Sequence, residues 1–240
     1  MKYIILSDIH GNFQALESVI GSFPPEEETM RVSAGDVVGY GAEPDACIDK
    51  IRALGFDNIK GNHDAAVVGK LNLDVFTKRA MESVLWTKDY ILLSGIDYLN
   101  GLPLVREYKS FVVVHGTLHK PEEFRYMSNY LEAMRTFEIM TKNICFVGHS
   151  HVSGILTLDA GRISQIPENK IKLQQKKYII NVGSVGQPRD GDNRASYCVY
   201  DEDNRTIEIR RIDYDVETAR KKILDAGLPA IFGDRLRCGR

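Results

Sequence analysis

Cysteine is scarce in this chain and widely scattered: four residues in 240, at Cys47, Cys145, Cys198 and Cys238. No CxxC pair occurs, which excludes a zinc ribbon and a thioredoxin-like redox centre and leaves four free thiols in a reducing compartment. Long apolar runs are missing as well. Nothing approaches the roughly 18–20 apolar residues that a transmembrane helix needs. Residues 1–7, one lysine and a short apolar strand, are too brief for a signal peptide. A cytoplasmic protein without membrane association is the simplest expectation. Surplus charge is also lacking: 31 Lys and Arg stand against 33 Asp and Glu, a formal net charge of −2. Without a basic run, no nucleic-acid partner is expected. No internal repeat or low-complexity tract is present, and 43% hydrophobic with 27% charged residues is the ordinary balance of a globular protein.

What is present alternates. Tyr3–Ser7, Met30–Ala34 and Phe56–Lys60 read as short buried strands. Between them lie a helix capped by Asn12 and running to Gly21, and another near Pro44–Leu54. Repeated strand–helix–strand units make a mostly parallel sheet with helices on its faces. Residues 65–99 carry only a helical pattern, the expectation being a helical insert between sheet elements. Leu102–Tyr108, Ser110–His115 and Ile144–Gly148 read as further strands, with a broad helix over Glu122–Met140.

Beyond residue 150 the pattern turns to short strands, at 154–158, 162–166, 177–182, 196–200 and 206–212. Asp159-Ala160-Gly161 and Asp201–Asn204 supply hairpin turns between them. A closing helix over Val216–Ala226 precedes an expected loose tail of ten residues. Glu26–Glu28 reads as a solvated loop. The expected organisation is one α/β domain over residues 1–240.

Five of the six histidines fall in five ordered signatures: Asp8-Ile9-His10, Gly35-Asp36, Gly61-Asn62-His63-Asp64, His115-Gly116 and Gly148-His149-Ser150-His151. Most follow directly on a hydrophobic run. The i, i+2 spacing of Asp8 and His10, repeated by His149 and His151, lets both side chains of a pair point the same way from a strand end. In open α/β sheets, sites assemble outside the carboxyl ends of strands. Imidazole, carboxylate and amide oxygen brought to one place form the ligand set of a hydrolytic pair of divalent metals. The sixth histidine, His119, sits in a polar loop without a motif and reads as a surface residue.

The order DxH, GDxxG, GNHD, HG, GHSH resembles the calcineurin-like metallophosphoesterase family, with the motifs covering residues 8–151. The one departure is Ser150, where threonine is frequent. The resemblance implies a two-sheet sandwich flanked by helices, in α/β/β/α layers. It implies that Asp8, His10, Asp36 and His151 hold a first metal, and that Asp36, Asn62, His115 and His149 hold a second, with Asp36 bridging. It further implies in-line attack on phosphorus by a hydroxide bridging the two ions. His63 would contact the scissile phosphate beside Asn62 and protonate the leaving oxygen, and Asp64 would orient His63. Mixed His/Asp/Asn ligation points first to manganese and also accepts Fe, Zn, Ni, Co or Mg.

A second stretch, Asn181-Val182-Gly183-Ser184-Val185-Gly186-Gln187-Pro188-Arg189-Asp190-Gly191-Asp192, together with Gly39-Tyr40-Gly41, resembles the small prokaryotic phosphodiesterase-like branch of that family. There Arg189 either offers a guanidinium to a phosphate or pairs with Asp192 as loop scaffolding. Phe76, Trp86, Tyr90 and Tyr98 of the helical segment read mainly as core, with a substrate lid as the alternative. The function expected is hydrolysis of a small phosphodiester or phosphomonoester. The alternatives are a non-catalytic scaffold that keeps the fold, for which loss of a ligand or of His63 would be the mark, and a nuclease, which the compact, slightly acidic chain does not favour.

Overall fold

The computed structural model describes residues 1–24, 29–127 and 129–240; the Glu26–Glu28 run lies outside them. Its strands are β1 (Lys2–Leu6), β2 (Thr29–Ser33), β3 (Asp57–Asn58), β4 (Val105–Glu107), β5 (Phe111–Val114), β6 (Ile144–Val147), β7 (Gly154–Asp159), β8 (Arg162–Ile166), β9 (Lys170–Lys172), β10 (Lys177–Asn181), β11 (Ala195–Asp201) and β12 (Thr206–Ile212). Its helices are α1 (Phe13–Gly21), α2 (Pro44–Ala53), α3 (Asn62–Val67), α4 (Lys78–Tyr90), α5 (Leu93–Gly101), α6 (Tyr130–Ile139), α7 (Val216–Asp225) and α8 (Ala230–Cys238). None is long and apolar enough to cross a membrane.

Two six-stranded mixed sheets result, ordered β3-β2-β1-β11-β12-β9 and β4-β5-β6-β10-β7-β8. In the first, β1, β2 and β3 run parallel because helices connect them, while β11, β12 and β9 are antiparallel. In the second, β5, β6 and β10 are parallel, flanked by antiparallel β4, β7 and β8. Ala160 and Gly161, at φ 45° and 79°, make the tight β7–β8 turn that the right-handed strand twist favours.

The continuous apolar runs are explained by burial on both faces. Along β1, Tyr3 and Ile5 point into the core between the sheets, while Ile4 and Leu6 point under the helices. On β6, Ile144 and Phe146 face the other sheet, while Cys145 and Val147 face Ala133 and Phe137 of α6. The layers are therefore helices, sheet, sheet, helix. Phe111 and Phe146 are wholly buried at the centre and meet edge to face at 5.2 Å. Cutting either to alanine costs about 3–5 kcal/mol.

Between β3 and β4 lie only α3, a 3-10 turn at Leu73–Val75, α4 and α5, the helical segment read over 65–99. Three expectations need correction. The broad helix over 122–140 is a 3-10 turn at Pro121–Glu123, then loop, then α6; left-handed backbone at Lys120 and Phe124, φ 52° and 47°, brackets the turn. Asn129 instead starts α6, its side chain accepting from the Glu132 N–H at 3.0 Å. The third strand is only Asp57–Asn58. The expected loose tail is α8, whose Phe232 and Leu236 bury against Ala219 and Ile223 of α7.

Candidate metal centre

The parallel strands of both sheets deliver their following loops to one edge. Asp8 and His10 leave β1, Asp36 leaves β2, Asn62 opens α3 just after β3, His115 leaves β5, and His149 and His151 leave β6. All seven predicted ligands are buried. Ligand atoms of Asp8, His10 and His151 lie within 4.8 Å of one another, as do those of Asp36, His115 and His149. Asp36 also groups with His10 and His63, so it stands where the clusters meet. Its Oδ2 is 3.2 Å from His115 Nε2 and 3.7 Å from His10 Nε2.

The tautomers can be read from the backbone. His10 Nδ1 lies 2.9 Å from Val38 O, His115 Nδ1 2.7 Å from Ala34 O, and His151 Nδ1 2.6 Å from Gln187 O. A carbonyl only accepts, so each Nδ1 carries its hydrogen and each ring turns its Nε2 inward. The inward Nε2 atoms crowd against one another and against oxygens: His10 and His151 Nε2 are 3.1 Å apart, and His115 Nε2 is 3.1 Å from Asn62 Oδ1. Asp8 Oδ1 and His149 Nε2 are buried with no hydrogen-bond partner. Nitrogens and oxygens gathered this closely could hold a cation, and the donor set suits a borderline divalent metal.

The backbone is bent to present these groups. Asp8, His10, Asp36, His149 and His151 all take left-handed conformations, φ 53°, 50°, 54°, 67° and 59°. For non-glycine residues each costs of order 1–3 kcal/mol and clusters at functional sites. Cross-strand bonds hold the bends: the Asp8 N–H donates to Gly35 O at 2.9 Å, and that of His10 to Asp36 O at 3.0 Å. Asp36 itself is pinned by the His63 N–H, which donates to its Oδ1 at 2.8 Å. Glycine at 61 is required by crowding, since a Cβ there would stand 2.0 Å from that oxygen.

Charge and burial set the protonation. Burial alone would lower His115, but Asp36 and Asp8 overcome it and push the ring up to about 9, a proton standing where a cation can bind. Burial, then His115, pushes His149 down to about 3; burial, then Arg189, pushes His151 down to about 4. Asp8 and Asp36 are held below the usual carboxylate range: burial raises each, but the surrounding histidines outweigh it.

Asp64 does not touch the His63 ring, contrary to the role expected of it. Its fully buried carboxylate accepts four backbone N–H groups, from Asp36 at 2.8 Å, Val37 at 3.0 Å, Val38 at 3.3 Å and Gly61 at 3.0 Å. It thus ties the Asp36 loop to the start of α3. His63 Nδ1 has no hydrogen-bond partner and faces Gly39, where a Cβ would come within 2.4 Å. Burial pushes His63 well below its ordinary value, Asp36 only partly opposing.

Arg189 does not pair with Asp192, which Arg194 holds at 2.7 Å. It donates to Gln187 Oε1 at 2.8 Å and lies 5.4 Å over the Tyr40 ring. With Asn62, His63 and His149 it lines a cleft of about 370 Å³. Phe76 belongs to this cleft, whereas Tyr98 joins the core, Tyr90 is exposed, and Trp86 packs near the C-terminal helices and donates to Ala226 O at 3.0 Å. The sequence reading missed Tyr126, stacked on His149 at 3.8 Å, and Arg235 on α8; neither stands in a motif. His119 is half-buried in its loop, apart from these clusters.

A model of the calcineurin-like phosphoesterase superfamily domain matches residues 1–205. An uncharacterized protein of Methanocaldococcus jannaschii is 39% identical over 242 residues, 98% of this chain and 97% of that protein. A metallophosphoesterase from Sphaerobacter thermophilus shares the structure with TM-score 0.88 and 32% identity over the whole of both chains. A hypothetical protein from Pyrococcus horikoshii gives TM-score 0.80 at 18% identity, over 100% of this chain and 98% of that one, a likeness of fold alone.

Proposed function

Because the chain belongs to the calcineurin-like phosphoesterase superfamily, we propose that it hydrolyses a small phosphodiester or phosphomonoester using two divalent cations at this edge. The observation that carries the reading is the set of inward Nε2 atoms of His10, His115 and His151, each 3.1–3.2 Å from another such nitrogen or from a carboxylate or amide oxygen, with Asp36 between the two clusters. Asp8, His10, Asp36 and His151 would hold one ion, and Asp36, Asn62, His115 and His149 the other, manganese being the first choice. Bound there, the ions supply Lewis-acid stabilisation of phosphoryl oxygens and acidification of a water.

The remaining work falls to the chain itself. His63 opens onto the cleft and is neutral in the free protein, since burial outweighs the pull of Asp36. An anionic phosphate beside it raises its affinity for a proton, which it then delivers to the leaving oxygen. Arg189 offers its guanidinium to the phosphate from the other side, held by Gln187 and Tyr40. Residues 1–240 act as one domain, because α8 closes one wall of the cleft through Arg235. A cytoplasmic role on small substrates accords with the absence of a membrane-crossing helix among the described residues.

The test is turnover of bis(p-nitrophenyl) phosphate by manganese-loaded protein, with His63→Ala and Asp36→Asn beside it. Wild type is expected to be active and both variants to lose about 10²-fold or more. Full activity in either variant refutes the assignment.

A further inference from the structure

The cleft extends beyond the metal ligands. It passes Arg189 and reaches Arg235 on α8. A second hollow of about 320 Å³ adjoins it, sharing Tyr40 and Arg235 and adding Lys78 and Arg79 from the first turn of α4. Four cations thus line two adjoining hollows, the first of which includes metal-ligand candidates. Among the described residues none of the four has a carboxylate partner.

That isolation is local. Arg237, the neighbouring arginine on α8, pairs with Glu217, and Arg220 on α7 pairs with Asp234 at 3.0 Å. Glu123, the carboxylate on the cleft wall, is already held by Lys120 at 2.8 Å and Arg125 at 2.6 Å. Buried Tyr40 sits between the arginines, 5.4 Å under Arg189 and 5.0 Å from Phe232 of α8, which fixes that helix against the cleft. Burial, then Arg189 and Arg79, weakens the hold of Arg235 on its proton, the mark of like charges crowded together. Unpaired guanidinium groups beside a cavity repel one another until an anion enters, and their planar forks match phosphate.

We propose that this arm of the cleft is a second anion subsite, and that the substrate is an organic phosphate ester carrying a second phosphate. The second phosphate sits between Arg189, Arg235 and Arg79, while the scissile one lies over His63 and the metal ligands. The inference rests on the phosphoesterase reading above. Phe76, Phe124 and Tyr126 line the same cleft, so the group joining the phosphates meets an apolar or aromatic wall. Nucleoside bisphosphates belong to this chemical class.

The experiment compares two chromogenic esters on manganese-loaded protein: the p-nitrophenyl ester of thymidine 5′-phosphate, and the same ester bearing a 3′-phosphate. Wild type is expected to favour the doubly phosphorylated ester by about ten-fold in kcat/KM, with the preference falling towards unity in Arg235→Ala and partly kept in Arg235→Lys. Since the ratio is taken within each protein, a general loss of activity cancels. Calorimetric binding of adenosine 3′,5′-bisphosphate gives a readout that needs no turnover, expected about ten-fold weaker in a folded Arg235→Ala variant. No preference in wild type, or a preference and an affinity both unchanged in Arg235→Ala, overturns the subsite and leaves the phosphoesterase reading standing. Bisphosphate binding that depends on Arg235, without turnover of either ester, sustains the subsite and overturns the phosphoesterase reading.

Discussion

Replacing Gly61 with alanine adds one methyl group, removes no ligand and changes no charge, yet it should disable the metal centre. The new Cβ would stand 2.0 Å from Asp36 Oδ1, 2.4 Å from the Asp36 nitrogen and 2.6 Å from its Cγ. An ordinary contact needs about 3.4 Å or more, so the Asp36 carboxylate and the start of α3 must move apart by more than about 1 Å. Neither side yields easily. Asp36 Oδ1 is held by the His63 N–H and the Gly61 N–H is held by Asp64, both in the same fully buried knot. Overpacking of this kind costs about 1–3 kcal/mol. A misplacement of about 1 Å at a reacting centre costs about 10²-fold in rate. We therefore expect kcat/KM towards an aryl phosphodiester to fall about 10²-fold, with metal affinity falling about ten- to a hundred-fold by calorimetry. Gly21→Ala is the matched control: nothing lies within 4 Å of its Cβ position at the end of α1, and it should behave as wild type. If Gly61→Ala keeps wild-type metal affinity and turnover, the crowding argument is wrong and Asp36 is not held where the structure puts it.

Asp64→Asn leaves two of four backbone N–H groups without an acceptor whichever way the amide sits, at about 1–3 kcal/mol each. Urea unfolding should show a loss of a few kcal/mol, with the shape of the kcat pH profile unchanged; a pure kcat defect at full stability would restore the role of orienting His63. In chelated, metal-free protein, His115 is raised from 6.5 to about 9, so its contribution to stability is complete below about pH 6.5 and lost as pH rises through 9. His115→Gln should flatten that slope, and a slope left unaltered would show that the proton sits elsewhere. Native protein should react with a thiol reagent at Cys238 alone, since Cys47, Cys145 and Cys198 are buried, and all four should react after unfolding. Fast modification of more than one thiol in the native state would contradict the packing of α2, β6 or β11.

That the candidate ligands meet at one edge was legible in the sequence because most follow a short apolar run and most stand beside a glycine, so strand ends could be located. The left-handed backbone at Asp8, His10, Asp36, His149 and His151 was not legible, because residue type alone gives no sign that non-glycine positions take positive φ. Asp64 was misread for a related reason. Adjacency to His63 suggested a contact, whereas the side chain leaves the start of α3 in the opposite sense and binds the loop after β2. Arg235 and α8 were hidden by a short segment with three charged residues, an alanine and a glycine and only a narrow apolar stripe, whose order comes from tertiary packing on α7. The helix over 122–140 failed through its own pattern: apolar residues continue at helical spacing, but the backbone at Lys120 and Phe124 leaves the helical region.

The central claim is that two divalent cations share Asp36. Elemental analysis of protein loaded with manganese and desalted tests it most directly, with Asp36→Ala measured alongside. The account requires two ions per chain in wild type and fewer than one in a folded Asp36→Ala protein. Two ions retained without Asp36, or none bound by wild type, would contradict it.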